Sequence, residues 1–181
     1  LQITSFSTAN TRYKLAAFKG AITHYTNTKR LLPDFKIAYF KRGTSKINIE
    51  DYTGALLDYS KFIEYNPEDT DAYTNRGYSK YQLKEYYSAI EDFNKAIVLE
   101  PNNINAYLNR GNSKFDLQDY QGALEDYAKT VELDPNDPIH FFKRGLTKIL
   151  LNQKNSGCID LNKAKELGME SAINAIQDLC K

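Results

Sequence analysis

The chain has 181 residues, with 24 Lys+Arg against 23 Asp+Glu, and therefore a net charge of 24 − 23 = +1. That length fits one compact domain or a short repeat array, and near-neutrality argues against a general nucleic-acid binder, which needs excess cations to displace counterions. Collagen, disulfide-scaffold and disordered compositions are excluded, and no apolar run approaches the roughly 18 residues of a membrane span.

Leu1, rather than Met, opens the sequence, and no basic-then-apolar leader follows it. The expectation is a removed leader or an excised piece of a longer chain. Pro33, Pro67, Pro101 and Pro135 then recur at a constant interval of 34 residues. Other residues fall into the same register. Gly43, Gly77, Gly111 and Gly145 align, with Ala9 in that place in the first unit. Ala21, Ala55, Ala89, Ala123 and Gly157 align, as do Tyr25, Tyr59, Phe93, Tyr127 and Leu161. Two more columns are aromatic: Tyr39, Tyr73, Tyr107 and Phe141, then Phe18, Tyr52, Tyr86 and Tyr120. The units are 2–35, 36–69, 70–103, 104–137 and 138–171, with 172–181 left over as a short capping helix.

Each unit reads as two helices. In the third, Tyr73, Arg76, Gly77 and Lys80 share one face, and Ala89, Ile90, Phe93, Ala96 and Ile97 form a second apolar stripe. Lys84-Glu85 makes a polar turn between them, and the second helix stops before Pro101. One hairpin cannot bury both stripes, so neighbours must stack. Phe62 stands where other units have Ala96 and Ala164, which predicts local repacking. In the last unit Lys154 and Met169 replace the aromatic and the Pro, and Ile173, Ile176 and Leu179 are expected to cover that hairpin.

The 34-residue order of aromatic, Gly, aromatic, Ala, aromatic, Ala and Pro resembles the tetratricopeptide repeat. The resemblance implies an all-α, right-handed α-solenoid of five antiparallel helix pairs and a capping helix, in one domain over 1–181. Where the family often has Trp, this chain has Tyr or Phe, and Ser5 in the first unit. The closing segment, Cys158 to Gly168 and a short helix ending in Cys180, is similar to bacterial members.

Arg42, Arg76, Arg110 and Arg144 precede the four glycines, where the family normally has an apolar residue. Asp58, Asp92, Asp126 and Asp160 recur in the second helices, and the first unit, with Thr8 and His24, lacks both partners together. That joint absence predicts an Arg–Asp pair inside each hairpin. Lys46, Lys80, Lys114 and Lys148 follow one turn after each Arg. This stripe reads either as a track for phosphate or acidic peptide or as an internal ion-pair ladder whose Lys heads reach solvent; the recurring carboxylates favour the ladder.

In the family the first helices line a concave surface on which extended peptides lie. By resemblance, the groove residues are Lys41, Thr44, Asn75, Tyr78, Tyr81, Asn109, Asn112, Phe115 and Lys143, with Phe40, Thr74, Leu108, Phe142 and Leu146 beside them. Asn75 and Asn109 hold one place in adjacent units, and a carboxamide both donates and accepts, so the two could grip a peptide main chain. This resembles the asparagine ladder of O-linked N-acetylglucosamine transferases, with Lys41 and Lys143 replacing the outer rungs. The carboxylate clamp of chaperone cofactors is not reproduced. Phe40, Thr44, Asn105 and Asn109 stand where it needs Lys, Asn and a basic pair.

No constellation for catalysis, metal or a cofactor is legible. His24 and His140 lie in different units without companions at ligand spacing, and Gly111–Lys114 lacks the remaining glycines of a phosphate loop. Cys158 holds an apolar column shared with Ile90 and Leu124, so it is either a small core residue or one half of a disulfide with Cys180. A disulfide would place the chain in a periplasmic or exported setting, and free thiols would leave a cytoplasmic one open. The leading expectation is a non-catalytic scaffold for a protein or peptide partner, without nucleic acid or membrane insertion. The alternatives are a subunit that self-associates through its ends, as a homo-oligomer or part of an assembly, and the recognition arm of a longer protein.

Overall fold

A computed structural model describes residues 15–27 and 36–181. Ser5, Thr8, Ala9 and Pro33, singled out above, lie outside the described residues. The described chain is helical throughout its regular structure, in two compact units, 1–85 and 86–181.

In the first unit, α1 occupies residues 15–27 and is followed by α2 (Ile37–Ile47), α3 (Tyr52–Tyr65) and α4 (Thr70–Gln82). The second contains α5 (Tyr86–Leu99), α6 (Ile104–Asp116), α7 (Tyr120–Leu133), α8 (Pro138–Leu150), α9 (Lys154–Glu166) and α10 (Glu170–Leu179). Second helices begin at Tyr52, Tyr86, Tyr120 and Lys154, on the sequence interval. Asp51, Asp69, Asn103, Asp119 and Asp137 cap helix starts by accepting a backbone N–H, at Gly54, Ala72, Ala106, Gly122 and Ile139. Helices α3, α5 and α7 end ahead of Pro67, Pro101 and Pro135, where the residue before proline avoids the α conformation. Sequence reading missed the turn geometry inside the hairpins. Glu50, Lys84, Gln118 and Asn152 all have φ of 61 to 63°, a left-handed turn repeated without glycine.

The core of the first unit joins Tyr39, Ala55, Tyr59, Phe62, Ile63 and Ala72, with Phe40, Ile47 and Tyr73 packed on it. Phe62 is accommodated by the expected repacking: its ring meets Phe40 edge-on at 5.2 Å, and Phe40 meets Tyr59 at 5.5 Å. In the second unit, Ala89, Phe93, Ala96, Ala106, Ala123, Tyr127, Leu161 and Ala164 are completely enclosed. The glycines before the bend permit these approaches. A Cβ on Gly111 would lie 2.8 Å from the Tyr127 ring, and one on Gly145 would lie 2.9 Å from the Gly157 carbonyl oxygen.

Helix α10 starts two residues before the expected cap and covers less with its large side chains than its sequence suggests. Ala172 is its one buried residue, packed with Phe141 and Ala164, while Ile173 and Leu179 stay 40% and 37% exposed. The inward positions are 172, 175 and 176, and Ile173 falls off that face.

Candidate functional site

The charged columns form hydrogen-bonded triads within hairpins. Arg42 donates from Nε and Nη2 to the two oxygens of Asp58, at 2.8 and 2.5 Å. Arg110 does the same to Asp126 at 3.0 and 2.5 Å, and Arg144 to Asp160 at 2.8 and 2.7 Å. These are the paired, fork-to-fork contacts that favour Arg over Lys. The Asp58 hydrogen bond raises the pKa of Arg42 despite partial burial. Each guanidinium also lies over the aromatic three residues earlier, such as Tyr107 under Arg110 at 5.4 Å.

The Lys heads do not reach for solvent as expected. Lys46, Lys114 and Lys148 turn onto the same carboxylates, with Nζ 2.9, 2.8 and 2.7 Å from Asp58, Asp126 and Asp160. Those carboxylate side chains are only 3–5% exposed, so a second cation lowers the cost of keeping them charged. A further link runs to the preceding hairpin. Nη1 of Arg42, Arg76 and Arg110 reaches Thr26, Ser60 and Asn94 at 3.2, 3.4 and 2.6 Å. The fourth member of that column is Ala128, which has no side-chain acceptor for Arg144. The column was readable at the 34-residue interval, but its members share only hydrogen-bonding capacity.

The triads engage Lys46, Lys114 and Lys148 of the basic stripe, and the other first-helix residues are held differently. Thr44 and Asn112 hold equivalent places, and both are engaged. The Tyr59 hydroxyl lies 3.0 Å from Thr44 Oγ1, which itself donates to the Phe40 carbonyl, and Tyr127 donates to Asn112 Oδ1 at 2.9 Å. Burial pushes the Tyr59 phenol up to about 12. Tyr78 packs edge-on to Tyr52, Phe115 to Tyr120, and Lys41 lies over Phe40 at 6.0 Å. Phe40 and Phe142 are half-buried, Phe40 against the core of the first unit and Phe142 against the cluster of Phe141, Ala164 and Ala172 in the second.

Asn75 and Asn109 behave differently. Each is half-buried, and its main-chain oxygen accepts from Ser79 or Ser113 one turn later. Among the described residues their carboxamides make no hydrogen bond, and the Lys143 ammonium has no ion-pair partner. Ser45 and Thr147 continue this back-bonding column onto Lys41 and Lys143. Of the histidines, His140 is buried with Nδ1 3.0 Å from the Asp134 carbonyl, a packing arrangement. His24 lies edge-on to Tyr25. No group of three metal-ligating side chains is assembled among the described residues, and no described helix is long and apolar enough to cross a membrane. Cys158 and Cys180 are joined, with their Cα atoms 5.8 Å apart.

The tetratricopeptide repeat family matches residues 70–103 and 104–137, the third and fourth units in the same register. No curated protein matches the sequence. Solved structures do. MamA aligns at 23% identity and a TM-score of 0.80, over 86% of this chain and 91% of its own. YrrB, described as a tetratricopeptide-repeat protein with an unusual peptide-binding site, aligns at 21% identity and 0.77, over 93% and 88%. The first repeat domain of Spaghetti (RPAP3), bound to the HSP90 peptide SRMEEVD, aligns at 26% identity and 0.63, over 65% and 93%. With the third and fourth units matched in register and the same all-helical fold in these structures, the chain has a tetratricopeptide-repeat fold.

Proposed function

We propose that the chain is a non-catalytic scaffold that holds an extended segment of a protein partner on its first-helix faces. The observation that carries this reading is the contrast between Asn75 and Asn109, whose carboxamides are unengaged among the described residues, and Thr44 and Asn112, which brace tyrosines. A carboxamide with a free N–H and a free carbonyl matches the donor and acceptor of a peptide unit whatever the peptide's side chains. Tyr78, Tyr81 and Phe115 add broad aromatic contact, which is enriched in binding hot spots. Lys41 and Lys143 supply positive charge toward an acidic side chain or terminal carboxylate. Peptide binding by YrrB and by the RPAP3 domain supports the class of ligand.

The test uses peptides selected from a random displayed library on the immobilised protein. Asn75→Ala/Asn109→Ala should weaken the selected peptides roughly tenfold or more, as expected for two lost hydrogen bonds of about 1 kcal/mol each. Thr44→Ala/Asn112→Ala should leave the affinity unchanged while lowering stability. Unchanged affinity in the asparagine variant would refute the assignment of these rungs.

A further inference from the structure

We propose that the Cys158–Cys180 bond is a redox-controlled latch holding α10 over the end of the α8–α9 hairpin. It rests on what α10 lacks. A ten-residue helix is too short to persist alone, and this one buries a single residue, Ala172, against Phe141 and Ala164. Met169 provides no side-chain cap, and the turn before it passes through Gly168 at φ 95°, the left-handed region where glycine is freest. Among the described residues, the other polar tie from α9 to this end of the chain is Lys154 Nζ to the Lys181 carbonyl, just beyond α10, at 2.5 Å, an exposed contact open to competition from water.

The latch also sits where α9 is least secured by its own sequence. Lys154 replaces the aromatic that opens the other second helices, Gln153 gives no side-chain cap, and Cys158 stands in a column otherwise held by Leu56, Ile90 and Leu124. Both sulfurs belong to half-buried residues, within reach of a small thiol. A dithiol reductant supplies the chemistry. One of its thiolates attacks a protein sulfur, breaking the Sγ–Sγ bond and forming a mixed disulfide. Its second thiolate displaces that sulfur. The reductant leaves as a cyclic disulfide, and the two protons it carried end on Cys158 and Cys180. Released, α10 swings about Gly168 and uncovers the apolar surface around Phe141 and Ala164.

Hydrogen exchange on the whole protein, purified without reductant, tests this. Alkylation should find both thiols blocked before a dithiol is added and both free afterwards. Reduction should speed exchange at residues 170–179 by about tenfold or more and leave α6 and α7 unchanged. Cys180→Ser should show the fast exchange at once and no further response to the dithiol. The latch is overturned by free thiols at the outset, by a bond the dithiol cannot open, or by unchanged exchange at 170–179 after proven reduction. Equal acceleration of α6 and α7 would also overturn it, because the bond would then be a global staple.

Discussion

The α6–α7 and α8–α9 hairpins are written on one pattern but held by different means. Both carry the Arg–Asp–Lys triad, on Asp126 and Asp160. In the first, Arg110 also ties back to Asn94, Asp119 caps α7, and Tyr127 is braced by Asn112. In the second, Ala128 offers Arg144 no side-chain acceptor, Gln153 leaves α9 without a side-chain cap, and Leu161 replaces the tyrosine. Close packing around Gly145 and Gly157 and a covalent tie to α10 stand in their place. A repeat array is approximately a sum of unit and neighbour terms, so different local devices can support the same stacking.

The two hairpins differ in what faces their glycines. Gly145→Ala sets a methyl group against the Gly157 backbone, which cannot rotate aside, and should cost about 1–3 kcal/mol in urea unfolding. Gly111→Ala meets the Tyr127 ring instead and should cost no more than that. The missing acceptor for Arg144 has a smaller effect. Ala128→Asn gives Arg144 the acceptor that Arg110 already has, and should add about 0.5–1 kcal/mol. The same substitution in an Arg144→Met background should add nothing. The smallest effect is nil at neutral pH and concerns the Tyr59–Thr44 brace, the counterpart of Tyr127–Asn112. Because burial holds the folded phenol near 12 against about 10 when unfolded, the native state keeps its proton longer. Its stabilisation is therefore complete below about 10 and is lost as pH rises from about 10 through 12. Tyr59→Phe should flatten that alkaline loss, measured by unfolding at a series of pH values.

Much of this architecture is legible in the residues because packing forces repetition. Prolines, glycines and aromatics recur where neighbouring hairpins must fit, and the observed helix starts follow the same interval. The Arg–Asp pairing was also readable, since loss of a buried partner is costly and the first unit lacks both. Three features were obscured by weaker chemistry. The Lys heads look solvent-bound in sequence because nothing there reveals that the carboxylates retain room for a second cation. The Thr26, Ser60 and Asn94 column shares function but not residue type. At α10, the apolar Ile173 and Leu179 attract attention, yet the small Ala172 makes the buried contact. Among the residues expected to line a groove, sequence groups Thr44, Asn75, Asn109 and Asn112 together, and only hydrogen bonding separates the braces from the proposed rungs.

The Arg, Lys and Asp columns pair with one another inside the hairpins, and the proposed recognition rests on other first-helix groups. A double-mutant cycle on Arg110 and Asp126 measures it most directly. Asp126→Leu alone leaves two cations against a vacated site and should cost about 3–5 kcal/mol. Adding Arg110→Met should recover part of that loss, with a coupling of about 1–3 kcal/mol and unchanged affinity for a selected peptide. Losses that add to within about 0.3 kcal/mol, or a collapse of peptide affinity in a folded double variant, would contradict it.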